Sequence, residues 1–436
     1  MKKSVSPISS SVVSLRRRGL LAAPLLAWPL SALAQFRVEI AGVGMTQLPI
    51  AITPFRGEAG SPQPISQIVS ADLERSGQFH IIAPDGMAPI DETTHPDVSA
   101  WRQRGADSLA GGSMKSLADG RYDVRFRLWD VVKDADLSGA DYVVQSADLR
   151  LAAHKVADYI YEKLTGEKGV FSTRIAYVTR AGSRYTLWVA DADGESAQPA
   201  FSSSESIISP TWSPDGRHIA YVSFESRKPV VYVQNVASGR RQLLANFKGS
   251  NSAPAWSPSG RTLAVTLSLA GGSQLYRINA SGGQPQRITQ SQSIDTEPRF
   301  SSDGGQIYFV SDRGGAPQIY RMPAGGGSAQ RVTFEGNYNV SPTLSPDGRW
   351  MAYIARSGGN YQLHLMNLST GQITALTETA DDASPSFAPN SRLIVYATKQ
   401  GGQGILMTTT IDGKIKARLA VSSGNVREPS WGPYQR

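Results

Sequence analysis

The chain has 436 residues, which is enough for two or three domains. It contains 42 glycines, 26 prolines and many short β-forming runs, so we expect a mostly β structure with frequent turns. The net charge is +8, but five basic residues lie in the first 35 positions, which hold no acid, so the remainder carries only +3 and does not indicate a nucleic-acid partner. Cysteine is absent, which excludes disulfides and thiolate sites.

Residues 1–34 have the pattern of a signal peptide. A basic start precedes the apolar segment Leu20–Ala34, whose final Ala-Leu-Ala satisfies the small-x-small rule, so cleavage after Ala34 is predicted. A membrane anchor is the alternative, but 15 residues interrupted by Pro24 and Pro29 are fewer than the roughly 20 that span a bilayer. The triple arginine ahead of this segment leaves both the general secretory and the twin-arginine routes open.

Residues 35–47 are predicted to form an N-terminal arm. Phe36–Ile40 alternates apolar and charged residues as a strand does, and Ala41–Gly44 is loose enough to act as a hinge. Two interpretations stay open. The arm is either an ordinary first strand of the next domain or a mobile segment that adds a strand to a partner's sheet edge through backbone hydrogen bonds.

Residues 48–170 are predicted to form an α/β domain large enough to bury its own core. Hydrophobic spacing of two residues predicts strands, and helical spacing predicts helices that end near glycine. The predicted strands are Leu48–Phe55, Phe79–Ala83 and Tyr122–Trp129, and the predicted helices lie around Ile65–Leu73 and at Asp148–Leu164. Val124, Phe126 and Leu128 should face the core together.

Residues 171–436 contain a repeat. A proline followed two residues later by a large apolar side chain returns at spacings of 44, 44, 44, 43 and 44 residues. The prolines are Pro210, Pro254, Pro298, Pro342, Pro385 and Pro429, and their apolar followers are Trp212, Trp256, Phe300, Leu344, Phe387 and Trp431. Each copy holds four strand candidates, which in the third are Ala255–Trp256, Leu263–Leu267, Leu275–Asn279 and Gln286–Thr289. Such a period predicts a six-bladed β-propeller.

The first copy lacks its proline strand, and an isolated proline strand stands at the C-terminus. Ile175–Val178 lies 44 residues before the matching Ile219–Val222, whereas Glu428–Pro433 is followed by no further strand. Pairing the last strand with the first blade would protect the sheet edges, so the C-terminal strand is predicted to close the ring.

The connections should sort to the two ends of the ring, because antiparallel strands alternate in direction. The Ser-Pro-Asp-Gly turns and the Ala-Ser-Gly-Gly turns share one end, and the loops before each repeat proline share the other. Pro-Asp-Gly is ordinary turn chemistry. The second set of loops is short and polar, which favours a preformed docking site for a protein over an apolar pocket.

Nothing in the pattern argues for an enzyme, a cofactor or a metal site. The five histidines show no helical ligand spacing, and none is expected near a cysteine or a carboxylate cluster. Asp191-Ala192-Asp193-Gly194 could suggest a cation site, but it occupies a repeat turn, so a turn is the preferred interpretation. The alternative function, a propeller enzyme acting on polysaccharide, would need several His or Arg side chains converging on the axial channel.

Particular segments resemble one family. They are Ser70–Phe79 (Ser-Ala-Asp-Leu-Glu-Arg-Ser-Gly-Gln-Phe), Glu162–Gly166 (Glu-Lys-Leu-Thr-Gly), Thr173–Val178, and the C-terminal Pro-x-Trp-x-Pro after six blades. With the signal peptide and the arm, they resemble the TolB family, the periplasmic component of the Tol–Pal system of Gram-negative bacteria, along the whole mature chain.

The resemblance implies a non-enzymatic adaptor in the periplasm. One propeller face would bind the peptidoglycan-associated lipoprotein (Pal), which makes the chain peripheral to the outer membrane. The arm would bind TolA, an inner-membrane-anchored protein, and so link inner-membrane energy to outer-membrane constriction and integrity at cell division. Bacteriocins and outer-membrane proteins are further implied partners, and the chain itself is expected to be a monomer.

Motif alignment and loop position assign the candidate contact residues. Those expected to face the lipoprotein are Ile208, Ser250, Ala253, Thr296, Glu297, Asn339 and Asp382. Those expected to bind TolA from the arm are Phe36, Arg37, Val38, Glu39, Ile40 and Val43.

Overall fold

The computed structural model describes residues 38–40, 47–421 and 424–435. The predicted signal peptide, residues 1–34, lies outside the described residues, as do Phe36, Arg37 and Val43 of the arm. Strand β1 (Val38–Ile40) is the first described element.

The α/β region follows as a mixed sheet with helices on its faces. Its elements are β2 (Leu48–Ile52), α1 (Ile65–Arg75), β3 (Phe79–Ile82), α2 (Val98–Gln103), β4 (Ser108–Ser116), β5 (Tyr122–Asp130), β6 (Ala135–Val144) and α3 (Leu149–Thr165), with short 3-10 turns at Glu58–Gly60 and Ser146–Asp148. The strand order is β3-β2-β4-β5-β6, with β2 parallel to both of its neighbours and the other pairs antiparallel.

Helices α1 and α3 cover one face of that sheet because their apolar residues recur at helical spacing. Val124, Phe126 and Leu128 of β5 are buried beneath them, which confirms the predicted inward face. Helix α3 ends at Gly166, whose φ of 75° is the left-handed conformation that glycine adopts readily. On the opposite face α2 buries Trp101 in a second, smaller core.

Six further sheets among the described residues complete the fold, five with four strands and one with five, and they confirm the predicted six-bladed propeller. Blade 1 contains β7 (Arg174–Ala181), β8 (Arg184–Asp191) and β9 (Gln198–Ser203); blade 2 is β10 (Ile207–Trp212), β11 (His218–Ser223), β12 (Val230–Asn235) and β13 (Arg241–Ala245); blade 3 is β14 (Asn251–Trp256), β15 (Thr262–Leu267), β16 (Gln274–Asn279) and β17 (Gln286–Arg287). Blade 4 is β18 (Asp295–Phe300), β19 (Gln306–Ser311), β20 (Gln318–Pro323) and β21 (Gln330–Arg331); blade 5 is β22 (Asn339–Leu344), β23 (Trp350–Ser357), β24 (Asn360–Asn367) and β25 (Ile373–Ala375); blade 6 is β26 (Ala383–Phe387), β27 (Leu393–Gln400), β28 (Gln403–Thr410) and β29 (Ile415–Arg418).

Strand β30 (Asn425–Trp431) is the innermost strand of blade 1 and closes the ring as predicted. It pairs antiparallel with β7, and Trp431 lies opposite Ile175. The Trp431 indole is buried and donates a hydrogen bond of 2.9 Å from Nε1 to Thr173 Oγ1. The first and last strands of the propeller are therefore held together without a covalent connection.

The arm strand β1 lies on the outer edge of blade 6. Val38, Glu39 and Ile40 pair antiparallel with Ala417, Lys416 and Ile415 of β29, so this blade has five strands. Of the two interpretations that the sequence left open, the structure places the segment on the chain's own propeller rather than in the first domain's sheet.

The α/β region contacts the ring at the end that carries the Ser-Pro-Asp-Gly turns. Arg150 of α3 forms an ion pair with Asp193 in the turn after β8, and Glu167 forms one with Arg392 in the turn before β27. Loop residues at the other end, including Lys248 and Phe334, are exposed. Among the described residues, the loops before the repeat prolines therefore form a face that the α/β region leaves uncovered, which we call the free face.

Candidate functional site

The innermost strand of every blade has the same backbone irregularity just before its proline. Six non-glycine residues there have φ between 46° and 55°, and they are Ser209, Ala253, Glu297, Ser341, Ser384 and Glu428. At each of them the pairing with the second strand shifts register, as in a β-bulge. Proline suits this position because it has no N–H to contribute to the ladder.

These six residues line a central channel of about 1230 Å³ along the axis of the ring. Glu297 in blade 4 and Glu428 in blade 1 accept hydrogen bonds from the backbone N–H groups of Ser341 (2.6 Å) and Ser209 (3.1 Å) in the following blades. Burial raises the pKa of Glu428, and burial lowers the pKa of Arg299, which also lines the channel. The two glutamates therefore join neighbouring blades as well as giving the channel polar walls.

The structure brings only some of the sequence-predicted residues together. Ile208, Ala253, Glu297 and Asp382 line the channel. Three others lie outside the channel lining, in the adjoining free-face loops and strands: Ser250, Thr296 and Asn339. Ser250 lies in the loop before β14, where its N–H donates to Ser268 Oγ at 2.7 Å. Thr296 is half-buried in β18.

Asn339 and Asp382 are buried, and their side chains bond within the protein. Asn339 donates through Nδ2 to Gln318 Oε1 and to the Glu335 carbonyl, both at 2.8 Å. Asp382 accepts from Thr379 Oγ1 at 2.5 Å and from Thr377 Oγ1. Each lies three residues before its repeat proline, where Asn251 and Asp295 are also buried. An Asn or Asp three residues before the repeat proline thus recurs in the sequence. In the structure these side chains are buried and stabilise the loops that precede the prolines.

One interpretation from the sequence is wrong: His154 does lie beside a carboxylate cluster. Its Nδ1 is 2.6 Å from Asp72 Oδ2, and its Nε2 is 3.7 Å from Asp191 Oδ2 and 3.8 Å from Asp193 Oδ2. The aspartates are far from His154 in the sequence, and tertiary packing of α1, α3 and the turn after β8 unites them. The turn itself is as predicted, with Gly194 donating its N–H to the Asp191 carbonyl at 2.9 Å.

This cluster holds domains together by charge. Burial alone would lower the pKa of His154, but attraction from Asp72 and then interactions with Asp191 and Asp193 outweigh burial and raise it to about 10. Asp72, His154 and Asp193 could in principle offer ligand atoms to a cation. However, Arg75 and Arg150 pair with the same carboxylates, and with His154 protonated three cations balance three aspartates.

Other described histidines do not converge. His80 is exposed, His95 pairs with Asp134 at the surface, His218 lies beside Asn235 in blade 2, and His364 is half-buried beside Tyr353, where burial lowers its pKa. Among the described residues, the channel lining has no histidine, and its basic side chains are Lys168, Arg299 and Lys399. The polysaccharide-enzyme hypothesis therefore has no group of side chains in this channel to support it.

Among the described residues, none of the helices combines the length and the apolar character needed to span a membrane.

Two family models match the chain. Residues 36–137 match the TolB amino-terminal domain, and residues 161–435 match the TolB beta propeller domain. Together they cover the arm, most of the α/β region and the whole ring.

Relatives are similar over nearly their full length. The Tol-Pal system protein TolB of Polaromonas naphthalenivorans is 72% identical over 99% of this chain and 100% of its own. That of Bordetella pertussis is 51% identical over 96% of this chain and 95% of its own. The crystal structure of TolB from Acinetobacter baumannii superimposes with a TM-score of 0.83 at 40% identity, covering 92% of this chain and 100% of that one.

Proposed function

This chain belongs to the TolB family, and from that premise we propose that it is the non-enzymatic periplasmic adaptor of a Tol–Pal system. In this proposal it binds the peptidoglycan-associated lipoprotein through the free face of its propeller and TolA through its N-terminal arm. The two contacts would support outer-membrane constriction and integrity during cell division.

The observation that carries the proposal is the exposure of the loops before the repeat prolines. The α/β region contacts the other end of the ring, through Asp193 and Arg392, so these loops are left for a partner. A standard interface needs about 800 Å² from each protein, which the end of a six-bladed ring can supply. Ser250, Thr296 and Glu297 lie on or beside this face, whereas Asn339 and Asp382 would contribute through the loops that they hold.

The arm's geometry supports the TolA part of the proposal. Val38–Ile40 already forms ladder hydrogen bonds with β29, so its backbone has the extended conformation that strand addition requires. The same donors and acceptors could pair instead with an edge strand of a partner. Phe36 and Val43 flank this strand in the sequence and are proposed to extend the contact.

A two-way binding experiment tests the division of labour. Purified lipoprotein without its acyl chains and TolA without its membrane anchor are titrated separately against the intact chain, against Thr296→Asp and against a variant lacking Phe36–Val43. We expect Thr296→Asp to weaken lipoprotein binding on the order of tenfold, because it places a charge in a half-buried position of the contact. We expect the arm deletion to abolish TolA binding alone.

Thr370→Asp is the matched control, because Thr370 is exposed in the turn after β24, at the opposite end of the ring. It should bind both partners normally. Unchanged lipoprotein affinity for Thr296→Asp at an unchanged melting temperature would remove that residue from the contact. Loss of the lipoprotein complex on arm deletion would show that the two sites are not separate.

A further inference from the structure

The free face carries three exposed apolar side chains in neighbouring loops. Leu269 lies in the turn after β15 with 40% of its surface exposed, Ile294 precedes β18 with 53% exposed, and Phe334 precedes β22 with 72% exposed. We call these three residues the apolar ridge. Exposed large hydrophobic residues grouped on one face of a protein mark interaction surfaces, whereas isolated ones do not.

Hydrogen bonds join the loops of the ridge into a series. Asp295 donates its backbone N–H to the Ser273 carbonyl at 2.9 Å, which ties the Ile294 loop to the Leu269 turn. Ile294 donates its own N–H to Asp312 Oδ1 at 2.9 Å, in the turn after β19. Asn339 donates its N–H to the Pro317 carbonyl at 3.0 Å, which ties the Phe334 loop to that same turn.

The Phe334 loop is held rigidly although its aromatic ring is exposed. Buried Thr333 donates from Oγ1 to Gln318 Oε1 at 2.7 Å, and Asn339 binds the Glu335 carbonyl. Gln318 also donates to the Gly336 carbonyl at 3.3 Å. An anchor that is already fixed in place loses little conformational entropy on binding, which favours affinity.

Charge changes sign from one side of the ridge to the other. The free-face segments of blades 1 and 2 (residues 180–184, 204–206, 224–229 and 246–250) hold five basic and two acidic residues. The segments of the ridge at 268–273 and 290–294 hold no charge. Those that follow (312–317, 334–338, 356–360 and 378–382) hold two basic and five acidic residues, of which Asp382 is buried and Asp381 pairs with Lys399 at 3.3 Å, so the exposed excess of negative charge is smaller than the count.

This distribution of charge around the apolar ridge indicates which kind of partner the free face can bind. A uniformly anionic surface, such as phospholipid or nucleic acid, would be attracted by blades 1 and 2 but repelled by blade 5. A folded protein with an apolar pocket between an acidic patch and a basic patch would match all three zones. Interfaces commonly place an apolar anchor at their centre and charged residues at the rim.

We propose that the apolar ridge, with Phe334 and Ile294 as its main anchors, is the central contact for the lipoprotein on the free face. This inference rests on the proposed function and adds to it the residues that supply most of the affinity and the chemistry of the partner's surface. The partner presents an apolar pocket that receives Phe334, an acidic patch toward blades 1 and 2, and a basic patch toward blade 5.

The test is calorimetric titration of the acyl-chain-free lipoprotein into the intact chain and into Phe334→Ser, Ile294→Ser and Leu243→Ser, with a melting temperature for each. Phe334→Ser and Ile294→Ser should each weaken binding on the order of tenfold or more. Leu243→Ser is the matched control, since Leu243 is 47% exposed on the outer strand β13, away from the face, and its affinity should not change.

Each outcome decides the matter. If the intact chain binds the lipoprotein and neither ridge variant weakens that binding, the ridge is not the anchor although the proposed function stands. If the intact chain does not bind it, the proposed function fails and this inference fails with it. If the ridge variants instead lose binding to phosphatidylglycerol vesicles, the occupant is a membrane surface and the inference is overturned.

Discussion

The protonated imidazole of His154 is the third of three positive charges that face three aspartates where the α/β region contacts blade 1. It faces Asp72 on one side and Asp191 and Asp193 on the other, and Arg150 pairs with Asp193. Burial would raise the pKa of Asp193, but His154 and the nearby arginines outweigh burial and lower it. Both groups are therefore held in their charged forms, which stabilises the contact between the domains.

The stability of the protein should therefore fall at alkaline pH. The ordinary pKa of histidine is 6.5, and in the folded protein the pKa of His154 is raised to about 10. Because the folded state binds this proton more tightly, the stabilisation is complete below pH 6.5 and is lost as pH rises through about 10. Urea unfolding at pH 6.5, 8 and 9.5 should give a decreasing free energy of unfolding.

The substitution His154→Gln separates this effect from general alkaline denaturation. It removes one charge from a buried set of ion pairs, a change that costs about 3–5 kcal/mol, and it should flatten the decline between pH 6.5 and 9.5. His80→Gln is the control, since His80 is exposed on β3. A decline that is equally steep in His154→Gln would mean that another group causes it.

At the scale of single elements, strand β30 is the one that closes the ring. Trp431 is buried against blade 6, where its backbone N–H donates to Ser386 Oγ at 2.9 Å. Trp212 in the next blade donates from Nε1 to the Ser430 carbonyl at 3.1 Å. Strand β30 thus contacts the blades on both sides of it while pairing with β7 in its own sheet.

Trp431→Ala should destabilise the ring by about 3–5 kcal/mol, the usual cost of removing a buried tryptophan side chain. Trp256→Ala is the reference variant: Trp256 holds the same repeat position in blade 3, which is continuous in the chain, although its side chain is less buried than that of Trp431. We expect a larger loss of melting temperature for Trp431→Ala. Equal losses would mean that ring closure gives Trp431 no special importance.

The repeat made the propeller predictable because its turn and proline chemistry recur at fixed positions. Strand lengths were less predictable: Gln286–Thr289 was expected as a strand, but β17 ends at Arg287. The Leu275 carbonyl still accepts the Ile288 N–H at 2.8 Å, but Thr289 Oγ1 accepts the Leu275 N–H at 2.9 Å, so a side chain takes the place of one backbone acceptor there. Contacts such as that of His154 with Asp193 depend on how the α/β region packs against the ring, and no local pattern encodes them.

The candidate site was only partly predictable for a related reason. Loop position correctly indicated which residues lie near the free face, because strand direction fixes the end of the ring at which a loop lies. It could not distinguish Asn339, whose side chain is used inside the protein, from Phe334, which is exposed. Whether a loop side chain is buried depends on its neighbours in three dimensions. Asn339 is polar and was therefore expected to be exposed, but its side chain is buried and stabilises its own loop.

On the scale of the whole molecule, the α/β region bridges the seam where the ring closes. It contacts blade 1 through Asp193 and blade 6 through Arg392, and Gly77 packs against Ile415 of blade 6. Blades 1 and 6 are the two that β30 joins. The α/β region therefore provides a second set of contacts across the seam, on the end of the ring opposite the free face.

Weakening these contacts should destabilise the seam without destabilising the rest of the ring. Arg392→Glu replaces the two-bond pairing with Glu167 by repulsion, and a half-exposed pair of this kind contributes about 1 kcal/mol or less. Hydrogen–deuterium exchange should then be faster in residues 425–431 of β30 and unchanged in β11, which lies away from the seam. The swapped double variant Glu167→Arg with Arg392→Glu should restore slow exchange in β30, because the pair is re-formed with its charges exchanged. Faster exchange in both strands would indicate general destabilisation, and unchanged exchange in β30 would mean that β30 alone holds the ring closed.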